Sequence, residues 1–213
     1  MGLGTDGQLG DSRSTSSKTP VQASGITNAT AVSTDGTLSC AVLADKTVKC
    51  WGDGNHGELG ASASGKVSTP VVVTGVAGAT AVSPRAKSPC ALADGGSVVR
   101  WGTGTYPGHG PDAKANDPAA IPEPTGVTAI NSGSDHTCTV HDAGKVACWG
   151  SNSEGQLGSN AAKSSADPIE VPGISDASAV SGGLGHTCAV RRAALVTTPA
   201  SHGTCPDKSA VRD

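Results

Sequence analysis

The sequence predicts an all-β fold that is assembled from repeated units of about 50 residues. Three observations lead to this prediction: a regularly spaced cysteine, an excess of glycine and a near absence of aromatic side chains. Glycine occupies 30 of the 213 positions, about twice its usual share, while the chain has three Trp, one Tyr and no Phe. A helical bundle needs bulky apolar residues at a period of about 3.6. The composition therefore favours short strands and many turns.

The repeat is visible as four cysteines with similar surroundings. Each is followed by Ala or Thr and then by Val or Leu, and they lie 50, 48 and 50 residues apart at Cys40, Cys90, Cys138 and Cys188. A Trp-Gly pair follows each of the first three, at Trp51-Gly52, Trp101-Gly102 and Trp149-Gly150. Self-similarity at such a period is typical of repeat architectures. We predict one repeat domain over residues 1–198 and an irregular tail over 199–213, with units at about 1–50, 51–100, 101–148 and 149–198.

Each unit predicts four short antiparallel strands. In the second unit, apolar stretches near residues 71–73, 79–82, 90–93 and 98–101 are separated by glycines and prolines that signal turns. Short strands that recur at this spacing indicate an all-β domain. Four strands per unit, stacked as radial blades, describe a β-propeller, which leaves only short and protected sheet edges.

The phase of the repeat indicates that the array is incomplete. When the turn Gly7-Gln8-Leu9-Gly10 is aligned with Gly57-Glu58-Leu59-Gly60, Met1 falls at the position of Trp51. After Cys188, neither a Val-x-Cys strand nor a Trp-Gly pair follows. A naturally short chain would explain both features, and so would a piece of a longer array. We favour the second interpretation because the start and the end both break the phase.

The best copy of the repeat runs from His136-Thr137-Cys138 through Trp149-Gly150 to Gly155-Gln156-Leu157-Gly158. A period of about 50 is usual for kelch propellers and one of about 40–45 for WD40 propellers, but these residues resemble the regulator of chromosome condensation (RCC1) repeat. The resemblance covers residues 1 to about 190. It implies a seven-bladed propeller, of which this chain would supply about four blades, so the array would be incomplete or open. Self-association with another copy would complete such a propeller.

Two pairs of cysteines flank turns at the same spacing. Cys40 and Cys50 are ten residues apart, as are Cys138 and Cys148. On antiparallel strands each pair would lie about 4.5 Å apart between Cα atoms, within the span of a disulfide. The alternative is free thiols that pack as small apolar side chains. Disulfides would indicate an oxidising compartment, and the odd total of seven cysteines leaves at least one thiol free within a monomer.

Two histidines occupy the same repeat position directly before a Thr-Cys pair. His136 and His186 lie 50 residues apart, whereas zinc sites use ligand pairs separated by about two to four residues. We therefore predict no metal site and expect each histidine to be hydrogen-bonded within its own blade. Gly-x-Gly-x-x-Gly occurs at 2–7 and 52–57, but no helical pattern follows, as a dinucleotide site would require. We predict no catalytic residue, no cofactor and no enzymatic activity.

The most irregular stretch, residues 103–118, is a candidate partner-binding loop. It holds Tyr106 and His109 where the third unit departs from the Gly-x-Leu-Gly pattern. Loops on a rigid frame are frequent binding sites, and Tyr is common at interface hot spots; decay of one repeat is the alternative. We predict a non-enzymatic scaffold for protein–protein binding. The resemblance implies two alternatives: a guanine-nucleotide exchange factor-like regulator of a small GTPase, or a secreted enzyme inhibitor of the β-lactamase-inhibitor type.

Charge and cysteine usage limit the partners and the compartment. The formal net charge of −3 and the dispersed Lys and Arg residues predict no attraction to nucleic acid. No apolar run approaches the length of about 18 residues that a membrane helix needs, and no signal peptide is visible at Met1. The repeated cysteine pairs favour an extracellular or cell-surface location. A cytoplasmic propeller with free thiols is the alternative.

Overall fold

The computed structural model describes residues 1–60, 63–85, 88–103, 117–122, 124–160, 163–192 and, for the backbone alone, 195–197. Within these residues there are fifteen strands, one short 3-10 turn at Asp94–Gly96 and no α-helix. The strands pair into four antiparallel sheets, which confirms the predicted all-β fold of four-stranded blades. The chain divides into two compact units, Met1–Pro122 and Glu123–Asp213, and each unit contains two of the sheets.

The first unit contains blades one and two. Blade one is formed by β1 (Ala29–Asp35), β2 (Leu38–Leu43), β3 (Val48–Asp53) and β4 (Lys66–Val72). Blade two is formed by β5 (Ala79–Ser83), β6 (Cys90–Ala93), β7 (Ser97–Arg100) and β8 (Ala119–Ile121). In both blades the order in the sheet is the order in the sequence, so each blade is a β-meander.

The second unit contains blades three and four. Blade three is formed by β9 (Ala129–Ser132), β10 (His136–His141), β11 (Lys145–Ser151) and β12 (Ser164–Ser175). The described part of blade four is formed by β13 (Ala177–Gly182), β14 (Thr187–Arg191) and β15 (Leu195–Thr197). These sheets follow the same order as the blades of the first unit.

Each of the first three sheets extends across the boundary between two sequence units. The repeated cysteine lies on the second strand of its blade, and the Trp-Gly pair lies on or just after the third strand. The glycine-rich turn comes next, and the fourth strand follows it, as β4 and β12 show. The predicted strand near 71–73 is therefore the end of blade one, while those near 79–82, 90–93 and 98–101 are β5, β6 and β7.

The core of each unit is made of small apolar side chains on the central strands. All six residues of β2 are buried, and so are all six of β10. Val42 and Val48 of blade one belong to the same buried cluster as Val82 and Ala91 of blade two. Because successive side chains point to opposite faces of a strand, a strand that is buried throughout has neighbours on both faces. This packing explains the scarcity of aromatic residues.

The glycine-rich turns close in the same way in three repeats. Their flanking glycines have positive φ, as at Gly57 (80°) and Gly60 (71°), and a Cβ at Gly10 would lie 2.6 Å from Nε1 of Trp51. The residue directly after the first of these glycines is Gln or Glu, and its side-chain oxygen accepts a hydrogen bond from the backbone N–H two residues earlier. These bonds are Asp6 to Gln8 at 2.9 Å, His56 to Glu58 at 2.8 Å and Glu154 to Gln156 at 2.9 Å.

Each of these turns also accepts hydrogen bonds from the next repeat. The indole N–H of Trp51 donates to the carbonyl oxygen of Gln8 at 2.9 Å, and that of Trp101 donates to Glu58 at 2.7 Å. Hydroxyl groups of the following repeat donate to the same kind of oxygen: Ser39 to Gln8 at 2.9 Å and Thr187 to Gln156 at 2.8 Å. The recurring spacing of turn and tryptophan thus corresponds to a direct contact between consecutive repeats.

Candidate functional site

Both cysteine pairs predicted from the sequence form disulfides. Cys40–Cys50 joins β2 to β3 and Cys138–Cys148 joins β10 to β11, with 4.1 Å between the Cα atoms of each pair. Both pairs are directly opposite in the strand register. Cys188 is disulfide-bonded as well, whereas the buried Cys90 keeps its thiol, which donates to the carbonyl oxygen of Ser88 at 3.7 Å. The disulfides stiffen the central hairpins of blades one and three.

His136 is a fully buried structural residue that bonds to the neighbouring blade. Its Nε2 lies 2.8 Å from Oγ1 of Thr187 on β14. The Thr187 hydroxyl gives its only proton to the carbonyl oxygen of Gln156 at 2.8 Å, so the Nε2–H of His136 is the donor. The expectation of a hydrogen bond within its own blade is wrong for His136, because the two blades stack closely enough for the ring to reach across. Among the described residues, no group of three or more His, Cys, Asp and Glu is placed to hold a metal ion.

A cavity of about 180 Å³ opens on blade three. Its walls come from the segment before β9, the end of β10 with the turn after it, and strands β11 and β12. The lining residues are Pro124, His141, Asp142, Ala147, Pro168 and Glu170. The register places Ala147 of β11 opposite Glu170 of β12, so a small side chain on β11 leaves room beside a carboxylate on β12. We call this space the blade-three cavity.

His141 is the buried polar side chain of the blade-three cavity. The residue is 4% exposed, and its Nδ1 lies 3.3 Å from Oδ2 of Asp142. Among the described residues Nε2 is buried and has no hydrogen-bond partner. A buried polar atom without a hydrogen-bond partner costs about 1–3 kcal/mol, so this nitrogen lowers the stability of blade three.

Among the described residues, two carboxylates line the blade-three cavity, those of Asp142 and Glu170, and the ammonium group of Lys145 lies next to Glu170. Nζ of Lys145 lies 2.9 Å from Oε1 of Glu170. The Glu170 carboxylate, as a hydrogen-bond acceptor and through its charge, raises the pKa of Lys145 above its ordinary value. Asp142, whose side chain is 60% exposed, provides the second carboxylate.

The blade-three cavity is a feature that the sequence alone did not predict. Aligning the third repeat on the first places His141 at the position of Leu43 and Ala147 at the position of Lys49. Between the first and third repeats, a buried apolar residue is thus replaced by histidine and a nearby long side chain by alanine. This pair of replacements is a signal of a polar cavity. The signal could be interpreted only with the strand register in hand, because it depends on which side chains lie next to each other.

Two other predictions concern a loop and a membrane span. The candidate partner-binding loop, with Tyr106 and His109, lies outside the described residues and stays a prediction. In the part of the chain that the structure describes, no helix is long and apolar enough to cross a membrane.

Comparison with known families identifies the repeat. Two family models of the regulator of chromosome condensation (RCC1) repeat match the chain, one at residues 127–156 and the other at 143–190. Together they cover blade three and most of blade four. No curated protein matches the chain.

Solved structures share the fold. Human WBSCR16 is 26% identical with a TM-score of 0.79, and the match covers 90% of this chain and 52% of that one. Yeast RCC1 (Prp20), solved with Kap60, is 21% identical with a TM-score of 0.65, covering 78% of this chain and 42% of that one. Prp20p from Saccharomyces cerevisiae, whose structure was described with its binding to Gsp1p and histones, is 20% identical with a TM-score of 0.63, covering 79% and 43%.

The fold and the repeat together define the class of this protein. The described sheets have the fold of RCC1-like β-propeller blades, and residues 127–190 match the models of the RCC1 repeat. The chain spans about half the length of human WBSCR16 and less than half that of yeast Prp20.

Proposed function

We propose that the chain is a non-enzymatic RCC1-repeat scaffold that binds a protein partner. The observation that carries the proposal is the RCC1 repeat on blades whose fold is that of Prp20, a protein with Kap60, Gsp1p and histones as binding partners. Buried cores, two described disulfides and the bonds between turns and tryptophans make the blades rigid. A rigid frame of this kind presents its loops in fixed positions, which suits recognition of a folded partner.

The predicted loop with Tyr106 and His109 is our candidate for the contact surface of that partner. An aromatic hot-spot residue typically contributes more than about 1 kcal/mol to a complex. We therefore expect Tyr106→Ala to weaken partner binding by roughly tenfold, measured by titration calorimetry. Lys18→Ala, at an exposed position of the described chain, is the control and should leave the affinity unchanged. An unchanged affinity in Tyr106→Ala would remove the loop from the proposal.

Exchange-factor activity is the second candidate, and the similarity to yeast RCC1 favours it. The two functions are separated by adding the purified chain to Gsp1p loaded with a fluorescent GDP analogue. A scaffold forms a stoichiometric complex without accelerating nucleotide release. An exchange factor accelerates release when it is present in substoichiometric amounts. The remaining alternative, an inhibitor of the β-lactamase-inhibitor type, predicts a loss of β-lactamase activity when the chain is added.

We also propose that these blades belong to a longer or self-associating array. Support comes from the match to about half of human WBSCR16. Size-exclusion chromatography with light scattering distinguishes the possibilities, because self-completion predicts a dimer at micromolar concentration.

The described disulfides support an oxidising, extracellular or cell-surface location. Cells in which the protein is found with reduced thiols would contradict that location.

A further inference from the structure

Within each compact unit, the second blade packs on the first through one recurring contact. β5 of blade two lies against β1 and β2 of blade one, and β13 of blade four lies against β9 and β10 of blade three. In the first unit, Val42 of β2 and Val82 of β5 belong to one buried cluster. In the second unit, Val140 of β10 and Val180 of β13 belong to another. Each contact therefore brings a valine on the second strand of one blade and a valine on the first strand of the next blade into one core.

Blade one exposes the residues that form the second half of this contact. The strand register gives Val32 of β1 the position of Val82 and Val180, because each lies opposite the alanine that follows the repeated cysteine. Val82 and Val180 are buried, whereas Val32 is 67% exposed. Ala29 of β1 is exposed too, although Ala79 at the same position of β5 is buried. We call the surface formed by Ala29 and Val32 the blade-one face.

Blade four exposes the residues that form the first half of the same contact. Val190 of β14 has the position of Val42 and Val140, since each is the second residue after the repeated cysteine. Those two valines are buried with the blade that follows in their unit, whereas Val190 is 46% exposed. Ala179, opposite Val190 on β13, is exposed as well, although Ala31 at its position in blade one packs against the cluster shared with blade two. We call the surface formed by Ala179 and Val190 the blade-four face.

The start of the chain contacts blade one in the way that the end of a preceding blade would. The carbonyl oxygen of Gln8 accepts hydrogen bonds from Trp51 and Ser39, as the turn after β3 accepts one from the repeat that follows it. The space left open at the blade-one face is thus that of the first strands of a preceding blade, without its glycine-rich turn. The described part of blade four consists of three such strands, and residues 198–213 do not repeat the Gly-x-Leu-Gly pattern of the turn. Blade four therefore has the strands that this space lacks.

We propose that the blade-four face of one copy of this chain docks on the blade-one face of a second copy. A single exposed valine is ordinary in a folded protein, but Val32 and Val190 are the two halves of a contact that the fold buries in both compact units. The interface joins two different surfaces, so it is a head-to-tail contact rather than a symmetric one. The inference rests on the proposal of a longer or self-associating array and deepens it by naming the partner and the two surfaces.

The experiment is sedimentation velocity of the full chain from about 1 to 100 μM. Wild-type protein should associate with a dissociation constant in the micromolar range. Val32→Asp and Val190→Asp each place a carboxylate on one of the two faces, and an unpaired charge is costly to bury. Each variant should therefore raise the dissociation constant by at least about tenfold.

A one-to-one mixture of the two variants tests the head-to-tail geometry. The Val32→Asp chain keeps its blade-four face, and the Val190→Asp chain keeps its blade-one face, so the mixture should associate where each variant alone does not. Recovery in the mixture also shows that both variants are folded. Thr30→Asp is the matched control, because it adds the same charge to β1 at a position that stays exposed in blade two, as Thr80. This control should leave the dissociation constant unchanged.

Three results would overturn the inference: a wild-type chain that is monomeric at about 100 μM, association that survives either substitution, or a mixture that stays monomeric. Partner binding separates this inference from the scaffold function. If the chain is monomeric and a protein partner still binds it, the contact between copies is wrong and the scaffold function stands. If the chain associates as expected and no protein partner binds it, the scaffold function fails and the contact between copies stands.

Discussion

Removing the Cys40–Cys50 disulfide should strongly destabilise the protein. The bond joins residues ten positions apart, and the loss of loop-closure entropy in the unfolded chain for such a loop corresponds to about 3 kcal/mol. Both side chains are fully buried, so Cys40→Ala with Cys50→Ala also removes two packed sulfur atoms, at about 1 kcal/mol each. The double variant should therefore lose about 5 kcal/mol.

Urea unfolding followed by tryptophan fluorescence measures this loss. With a denaturant dependence of about 1–3 kcal/mol per molar, the midpoint should fall by about 2 M or more. Cys90→Ala is the packing control, because Cys90 is equally buried and is not in a disulfide, and it should cost about 1 kcal/mol. If the double variant costs no more than two such packing losses, the cross-link contributes nothing and the reasoning is refuted.

Three further predictions concern the turns and the surface. Leu59→Ala should lower the free energy of unfolding in urea by about 2–5 kcal/mol because the side chain is fully buried. Leu184→Ala, at a residue 82% exposed, should change it by no more than about 0.5 kcal/mol. Equal losses in the two variants would contradict the assigned burial. Trp101→Phe removes the 2.7 Å bond to the preceding turn and should cost about 1–3 kcal/mol by the same assay, so an unchanged midpoint would count against that contact. The hydroxyl and N–H of Thr47 lower the pKa of Asp45 below 3.8, so these hydrogen bonds stabilise the fold above that pH, and their contribution disappears as the pH falls through the lowered pKa. An NMR titration of Thr47→Val should show a higher pKa for Asp45. A constant pKa would refute the role of the hydroxyl.

The hairpins around the cysteine pairs could be predicted from the sequence because their determinants are local. Cys40 and Cys50 are separated by one short turn, and alternation of side chains along two antiparallel strands brings them face to face. The repeated Trp-Gly pair and the glycine-rich turn likewise identify the third strand and its exit. Repetition strengthened each of these local signals, since the same pattern predicted the same hairpin several times.

The contacts between blades could not be predicted in the same way. His136 and Thr187 lie 51 residues apart, and their hydrogen bond depends on how closely two sheets stack. The blade-three cavity depends on which side chains lie beside Ala147 on the neighbouring strands, and these are Thr139 and Glu170. The sequence shows the exchange of lysine for alanine at Ala147, but only the register shows which volume the exchange leaves open.

The Gln or Glu residue that follows the first glycine of each turn has two functions at once. The side chain of Glu58 closes its own turn, while its backbone carbonyl holds Trp101 of the next repeat. Closure of a turn is thereby coupled to packing of the next repeat against it, and each such link involves only adjacent repeats. An array linked in this way transmits a perturbation from neighbour to neighbour rather than to the whole molecule at once. Hydrogen exchange in a variant that weakens one turn should therefore show protection that recovers with distance along the array, repeat by repeat.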